Sequence, residues 1–178
     1  SLNQPAVLFA TGPLTNLAEL FQKKPDLKKR VDHITIMGGS LCGGNVTPYA
    51  EFNFCADPDA ANLVLNMGVP IRLIGLDVTQ KAYLTDCDFQ KFSSLETRYG
   101  DMVADLTAFY APACRADGLP GTPIHDAAAV LFELNPELFP IAEPLHLDVV
   151  TEGDHMGECV ISPHKAPNVL FAKTVDRF

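Results

Sequence analysis

The sequence predicts an α/β protein: a mostly parallel open sheet flanked by helices, with an antiparallel extension near the C-terminal end. Three observations carry that expectation. Short apolar runs alternate with amphipathic stretches of helical period over roughly the first 135 residues. Gly and Pro stand at most of the changes between them. After that the pattern becomes short apolar runs parted by polar turns. The 178 residues read as a single domain spanning 1–178, able to bury roughly 70% of its unfolded surface without disulfides or metals.

The elements follow in order. Ala6–Ala10 is an apolar run that reads as a buried strand. Thr11-Gly12-Pro13 then opens a helix, because Pro suits the first helical position. Leu14, Leu17, Leu20 and Phe21 share its inward face. Residues 33–37 form a second apolar run, stopped by Gly38-Gly39. Asp57-Pro58 starts a helix with Ala60, Ala61 and Val64 inward, ended by Gly68. Residues 71–76 are the third strand, followed by Asp77, which has Lys81 as a local partner. Thr85 with Asp88 reads as a capping box, and Leu84 with Phe89 as its hydrophobic staple. A helix over 101–114 leads into the Gly/Pro loop 116–123. His125-Asp126 heads a helix that Asn135-Pro136 ends. Residues 145–150, 158–161 and 169–175 are short strands.

Composition narrows the function. With 47% apolar and 20% charged residues the chain is an ordinary globular sequence, not disordered, coiled-coil or collagenous. Its longest apolar run, residues 127–132, is far too short to span a bilayer. No secretory leader is visible, and a start at Ser1 fits a processed or partial chain. A net charge of −9 argues against a nucleic-acid surface. The basic cluster Lys23, Lys24, Lys28, Lys29, Arg30 reads as a solvated face. Five widely spaced cysteines with no C-x-x-C exclude a disulfide framework and a zinc site and favour a reducing, cytoplasmic location. Cys55 and Cys159 read as inert core thiols, and His33, His146, His155 and His164 as structural or exposed.

In open α/β sheets ligands bind beyond the carboxyl ends of the strands. Thr11, Met37-Gly38-Gly39 and Asp77 fall there. The segment from Gly43 to Asn53 is the richest in hydrogen-bonding groups. If 51–53 is extended, Glu51 and Asn53 project to one side and Phe52 to the other. With Asn45 they suit a polyol such as a sugar, while a polar turn bonded to its own backbone is the plainer account of them. For His125-Asp126, one reading is a helix start with Asp126 at the dipole. The other makes Asp126 a ligand of a hard cation and His125 an acid beside it.

Taken together, Ala10-Thr11-Gly12-Pro13-Leu14-Thr15-Asn16, Ile36-Met37-Gly38-Gly39, Gly44-Asn45, Ala50-Glu51-Phe52-Asn53, Asp57-Pro58-Asp59-Ala60-Ala61, Gly75-Leu76-Asp77-Val78-Thr79 and His125-Asp126 resemble the inosine-uridine preferring nucleoside hydrolase family in order and spacing. The resemblance covers nearly the whole chain. It implies hydrolysis of the N-glycosidic bond of a ribonucleoside and a homo-oligomeric enzyme holding one Ca²⁺. By position it gives the metal Thr11, through its carbonyl, and Asp126. The ribose site takes Met37, Asn45, Glu51, Phe52 and Asn53, and His125 becomes the proton donor to the departing base. The chain departs from the family in one respect. The Asp-rich D-x-D-x-G-x-D-D motif, which the resemblance makes the source of the general base and the other metal ligands, is absent from the 178 residues. The chain therefore reads as the later part of such a domain, supplying the ribose-binding and leaving-group residues. The alternative is a non-catalytic relative or fragment that keeps the fold and a weak ribose pocket.

Overall fold

The computed structural model describes residues 4–176. In chain order its elements are β1 (Ala6–Ala10), α1 (Thr15–Lys23), a 3₁₀ turn (Pro25–Arg30), β2 (Val31–Met37), α2 (Phe52–Ala56), α3 (Pro58–Leu65), β3 (Ile71–Ile74) and α4 (Leu76–Thr79). Then come β4 (Tyr83–Leu84), α5 (Asp86–Ser93), α6 (Arg98–Ala116), β5 (Thr122–Pro123) and α7 (His125–Leu134). A 3₁₀ turn (Pro136–Leu138), β6 (Ala142–Leu145), β7 (Leu147–Val149), β8 (Cys159–Ile161) and β9 (Val169–Ala172) complete the described chain.

The central sheet runs β1-β2-β3-β9-β6, with its first four strands parallel and β6 antiparallel on the far edge. Two small antiparallel pairs, β4-β5 and β7-β8, stand beside it. The α/β class holds. The antiparallel extension divides, because β9 enters the parallel sheet beside β3 and only β6 and the β7-β8 pair run antiparallel.

Alternation along the strands builds a core on each face of the sheet. Ile34 and Ile36, Ile71 and Leu73, and Val169 and Phe171 face Leu14, Ala18 and Phe21 of the α1 region and Ala61, Val64 and Leu65 of α3. Met37, Ile74 and Ala172 face the other way, with Ala128, Ala129 and Phe132 of α7. α7 therefore lies on the sheet face opposite α1 and α3.

Several local expectations change. β1 is an edge strand, not a buried one: Val7 and Phe9 are exposed because nothing among the described residues covers that face or pairs with that edge. α1 begins at Thr15 with no side-chain cap, so Thr11 is not its cap; the Thr15 hydroxyl instead bonds the Asp57 carboxylate. Leu20 is exposed and Ala18 takes the inward position beside Leu14 and Phe21. β3 stops at Ile74, because the Gly39 carbonyl accepts the Leu76 N–H and the chain turns into α4. A Cβ on Gly75 would lie 2.7 Å from that carbonyl, so the crossing needs glycine. The Asp57 cap, the Thr85–Asp88 capping box and the Asn135 end of α7 form as the sequence indicates.

Candidate functional site

The parallel register sets the carboxyl ends of three strands side by side. Ala10 pairs with Ile36 and Met37 with Ile74, so Thr11, Gly38 and Gly75 leave the sheet together. The loop from Gly38 to Glu51 folds back over this edge. At Gly44 a Cβ would meet the Ala50 backbone at 2.1 Å, so two stretches of that loop touch through their main chains.

Glu51 organises the loop. It is 2% exposed. Its Oε1 accepts the Asn53 N–H at 2.9 Å, and its Oε2 accepts the Gly39 N–H at 2.8 Å and the Phe54 N–H at 3.2 Å. Residues 51–53 are not an extended pair of ligands. Glu51 is the N-cap of α2, and its own carboxylate starts that helix by satisfying N–H groups with no intrahelical acceptor. Asn53, 6% exposed, turns inward and donates through Nδ2 to the Met37 carbonyl at 3.0 Å and approaches the Met37 sulfur. Met37 itself is buried. Asn45 is exposed and holds the Phe52 N–H on its Oδ1 at 3.0 Å, while the Phe52 ring faces solvent.

Asp77 does not serve as a local partner of Lys81. Its Oδ2 accepts the Leu41 N–H at 2.9 Å and the Ser40 hydroxyl at 3.2 Å, tying the loop to the end of β3. Of the remaining histidines, His33, His146 and His155 each meet a carboxylate: Asp32 and Glu133, Asp148, and Glu158 in turn. Cys159 is buried and its thiol is pushed up to about 12, chiefly by desolvation, which makes it inert.

α7 brings the last two residues. His125 sits in its first turn, half-buried, with Nδ1 2.7 Å from the Thr79 hydroxyl of α4. Burial lowers its pKa below the usual imidazole value, and the Asp126 carboxylate opposes that. Thr79 closes the motif Gly75–Thr79 but carries no role in the sequence reading; nothing in its position signals a histidine 46 residues away. Asp126 is exposed at the α7 start. Its charge reaches Glu51: burial raises the Glu51 pKa most, three backbone N–H bonds pull it down, and Asp126 adds to the rise. That influence is the weakest of those acting on Glu51. Thr11, exposed at the end of β1, follows the strand adjacent to Met37.

The donor set does not fit a Ca²⁺ ion by itself. Ca²⁺ takes 6–8 oxygens, whereas Thr11 and Asp126 offer one carbonyl and one carboxylate. Both Glu51 oxygens already accept backbone N–H groups. Among the described residues no group of three or more His, Cys, Asp or Glu side chains could hold a metal.

The chain is similar to known proteins over its whole length. A family model described as "Inosine-uridine preferring nucleoside hydrolase" matches residues 2–178. A "Pyrimidine-specific ribonucleoside hydrolase RihA" of Shewanella woodyi is 40% identical over 85% of this chain and 49% of its own length. The protein of the same name from Enterobacter sp. is 36% identical over 98% of the chain and 58% of its own. Among solved structures, "Purine-Preferring Ribonucleoside Hydrolase from Gardnerella vaginalis" superposes with a TM-score of 0.87 and 34% identity, covering 96% of this chain and 56% of that one. The chain therefore spans about half the length of the relatives it matches.

Proposed function

The chain belongs to the inosine-uridine preferring nucleoside hydrolase family, and from that premise we propose that it serves the hydrolysis of the N-glycosidic bond of ribonucleosides to ribose and free base. It supplies the ribose-binding and leaving-group residues. The observation that carries this reading is the convergence of Thr11, Gly38 and Gly75 at the carboxyl ends of three parallel strands, under a loop that Glu51 and Asp77 hold in place.

Met37, Asn45, Glu51, Phe52 and Asn53 form the ribose side. Glu51 and Asn53 are locked by the loop, so they meet the sugar without reorganising, which favours the transition state. His125 meets the leaving base. A Thr79 hydroxyl that donates to Nδ1 leaves the ring's proton on Nε2. Burial keeps that ring neutral near pH 7, so Nε2–H is the donor that stabilises charge developing on the base as the bond opens.

Thr11 and Asp126 are the metal-facing residues of this chain, and on their own they do not complete a Ca²⁺ site. Calorimetry on the 178-residue chain is expected to show no micromolar Ca²⁺ binding; a micromolar site would overturn that assignment. We further propose a cytoplasmic homo-oligomer without nucleic-acid or membrane partners. The free state of Cys42, Cys55, Cys87, Cys114 and Cys159 supports the reducing location, and the net charge of −9 the lack of a nucleic-acid surface.

In this reading the residues of the site are directed at the sugar, and the chain has no Trp to stack on a purine. We therefore expect ribose to be preferred over deoxyribose and discrimination among bases to be modest. The test is a panel of inosine, adenosine, guanosine, uridine, cytidine and 2′-deoxyuridine with the natural full-length polypeptide. Cleavage of purines with pyrimidines untouched, or equal rates on uridine and deoxyuridine, would refute it. His125→Ala should slow nucleosides with poor leaving bases by about 10²–10⁴-fold while sparing nitrophenyl riboside; equal losses would rule out the leaving-group role.

A further inference from the structure

The far end of α7 carries a second polar cluster that the reaction above does not use. Glu133 Oε2 accepts from three side chains on two strands: His33 Nε2 at 2.9 Å and Thr35 Oγ1 at 3.2 Å on β2, and Arg72 Nη1 at 3.0 Å on β3. The other His33 nitrogen, Nδ1, meets the Asp32 carboxylate at 2.8 Å. Thr35 and His33 are buried, so this is not a surface ion pair of marginal worth.

We propose that Glu133 is a positioning residue for His125 and Asp126. The fully buried residues of the face that α7 lays on the sheet are Ala128, Ala129 and Phe132, with Leu131 partly buried beside them. Apolar contacts of this kind are non-directional and resist sliding and rolling less than oriented hydrogen bonds do. The helix also begins without a side-chain cap. Directional bonds hold it at both ends instead: at the start His125 to Thr79 and the Ile124 N–H to the Ala82 carbonyl, and at the far end Glu133 to β2 and β3. At 1.5 Å per residue the two anchors lie about 12 Å apart along the axis. The strands that hold Glu133 are the ones that end at Met37 and Ile74, beside the ribose loop. Glu133 therefore sets the distance between the α7 start and the loop that Glu51 organises. A displacement of about 1 Å at such a site costs about 10²-fold in rate.

The inference rests on the reading of His125 and Asp126 as the working end of α7, and its test does not depend on hydrolysis. The ¹⁵N resonance of His125 Nδ1 reports its bond to Thr79 and is read at one fixed pH in the 178-residue chain. Melting temperature is the control for stability. Glu133→Ala is expected to shift that resonance, and Glu133→Gln, which keeps an acceptor oxygen, to return it most of the way. A folded Glu133→Ala chain with a lowered melting temperature and an unmoved His125 resonance would overturn the proposal, as would a shift that Glu133→Gln fails to reverse. Should Glu133→Ala not fold, Thr35→Val removes one of the three donors and keeps the carboxylate. A smaller shift in the same direction then supports the role, and none rejects it. In an active full-length polypeptide Glu133→Ala should lower kcat with KM unchanged, and Glu133→Gln should recover most of it.

Discussion

The loop from Gly38 to Phe54 and the hairpin of α5 and α6 are built in opposite ways. The loop spends its own polar side chains on holding itself: Glu51 and Asn53 bond main-chain groups up to 12 and 16 positions away, and Asp77 at the end of β3 ties its Leu41 N–H down from outside. Its side chains at Ser40, Ala50, Glu51, Asn53 and Phe54 are buried. The hairpin does the reverse. α6 buries only small residues, Gly100, Ala104 and Ala111, and turns Tyr99, Met102, Leu106, Phe109 and Tyr110 outward, with Phe109 78% exposed. A segment closed by buried hydrogen bonds is rigid, and one that presents large apolar side chains to solvent is free to adjust.

The largest effect should come from breaking the rigid part. Glu51→Ala strands the N–H groups of Gly39, Asn53 and Phe54, each worth about 1–3 kcal/mol when buried without a partner. We expect a loss of about 3–5 kcal/mol in urea unfolding of the chain. A loss under about 1 kcal/mol would show that the loop is not held by this carboxylate.

A smaller effect tests the site's pH response. The folded-state pKa of His125 lies below its unfolded value of 6.5, so the folded chain binds fewer protons there. Stability should therefore rise with pH through the window below 6.5 and be lost on acidification. Glu51 contributes the opposite slope, because its folded-state pKa lies above 4.5. Subtracting the pH profile of His125→Gln from that of the parent isolates the histidine. A flat difference below pH 6.5 would remove the desolvation argument.

The smallest effect belongs to the hairpin. Leu106→Ser replaces a side chain that is mostly in water and should change stability by less than about 0.5 kcal/mol. A cost above about 2 kcal/mol would mean the α6 stripe is packed against something in solution, and the contrast between the two regions would fail.

Local chemistry was legible in the residues themselves. Asp57 before Pro58, Thr85 with Asp88, and Asn135-Pro136 after an apolar helical run mark helix ends through bonds spanning three or four residues, and the structure forms each one. The ordered motifs from Thr11 to Asp126 identified the family for the same reason, since order and spacing are properties of the chain. Tertiary structure decided the rest. Glu51 looks alike in sequence whether it faces a sugar or caps a helix, and only the return of Gly39 to its side makes it the loop's organiser. The pairing of His125 with Thr79, of Glu133 with Thr35 and Arg72, and of β9 with β3 joins residues 46 to 98 positions apart. No short-range pattern encodes such pairs. They arise when apolar faces pack and the buried polar atoms left between them must find partners.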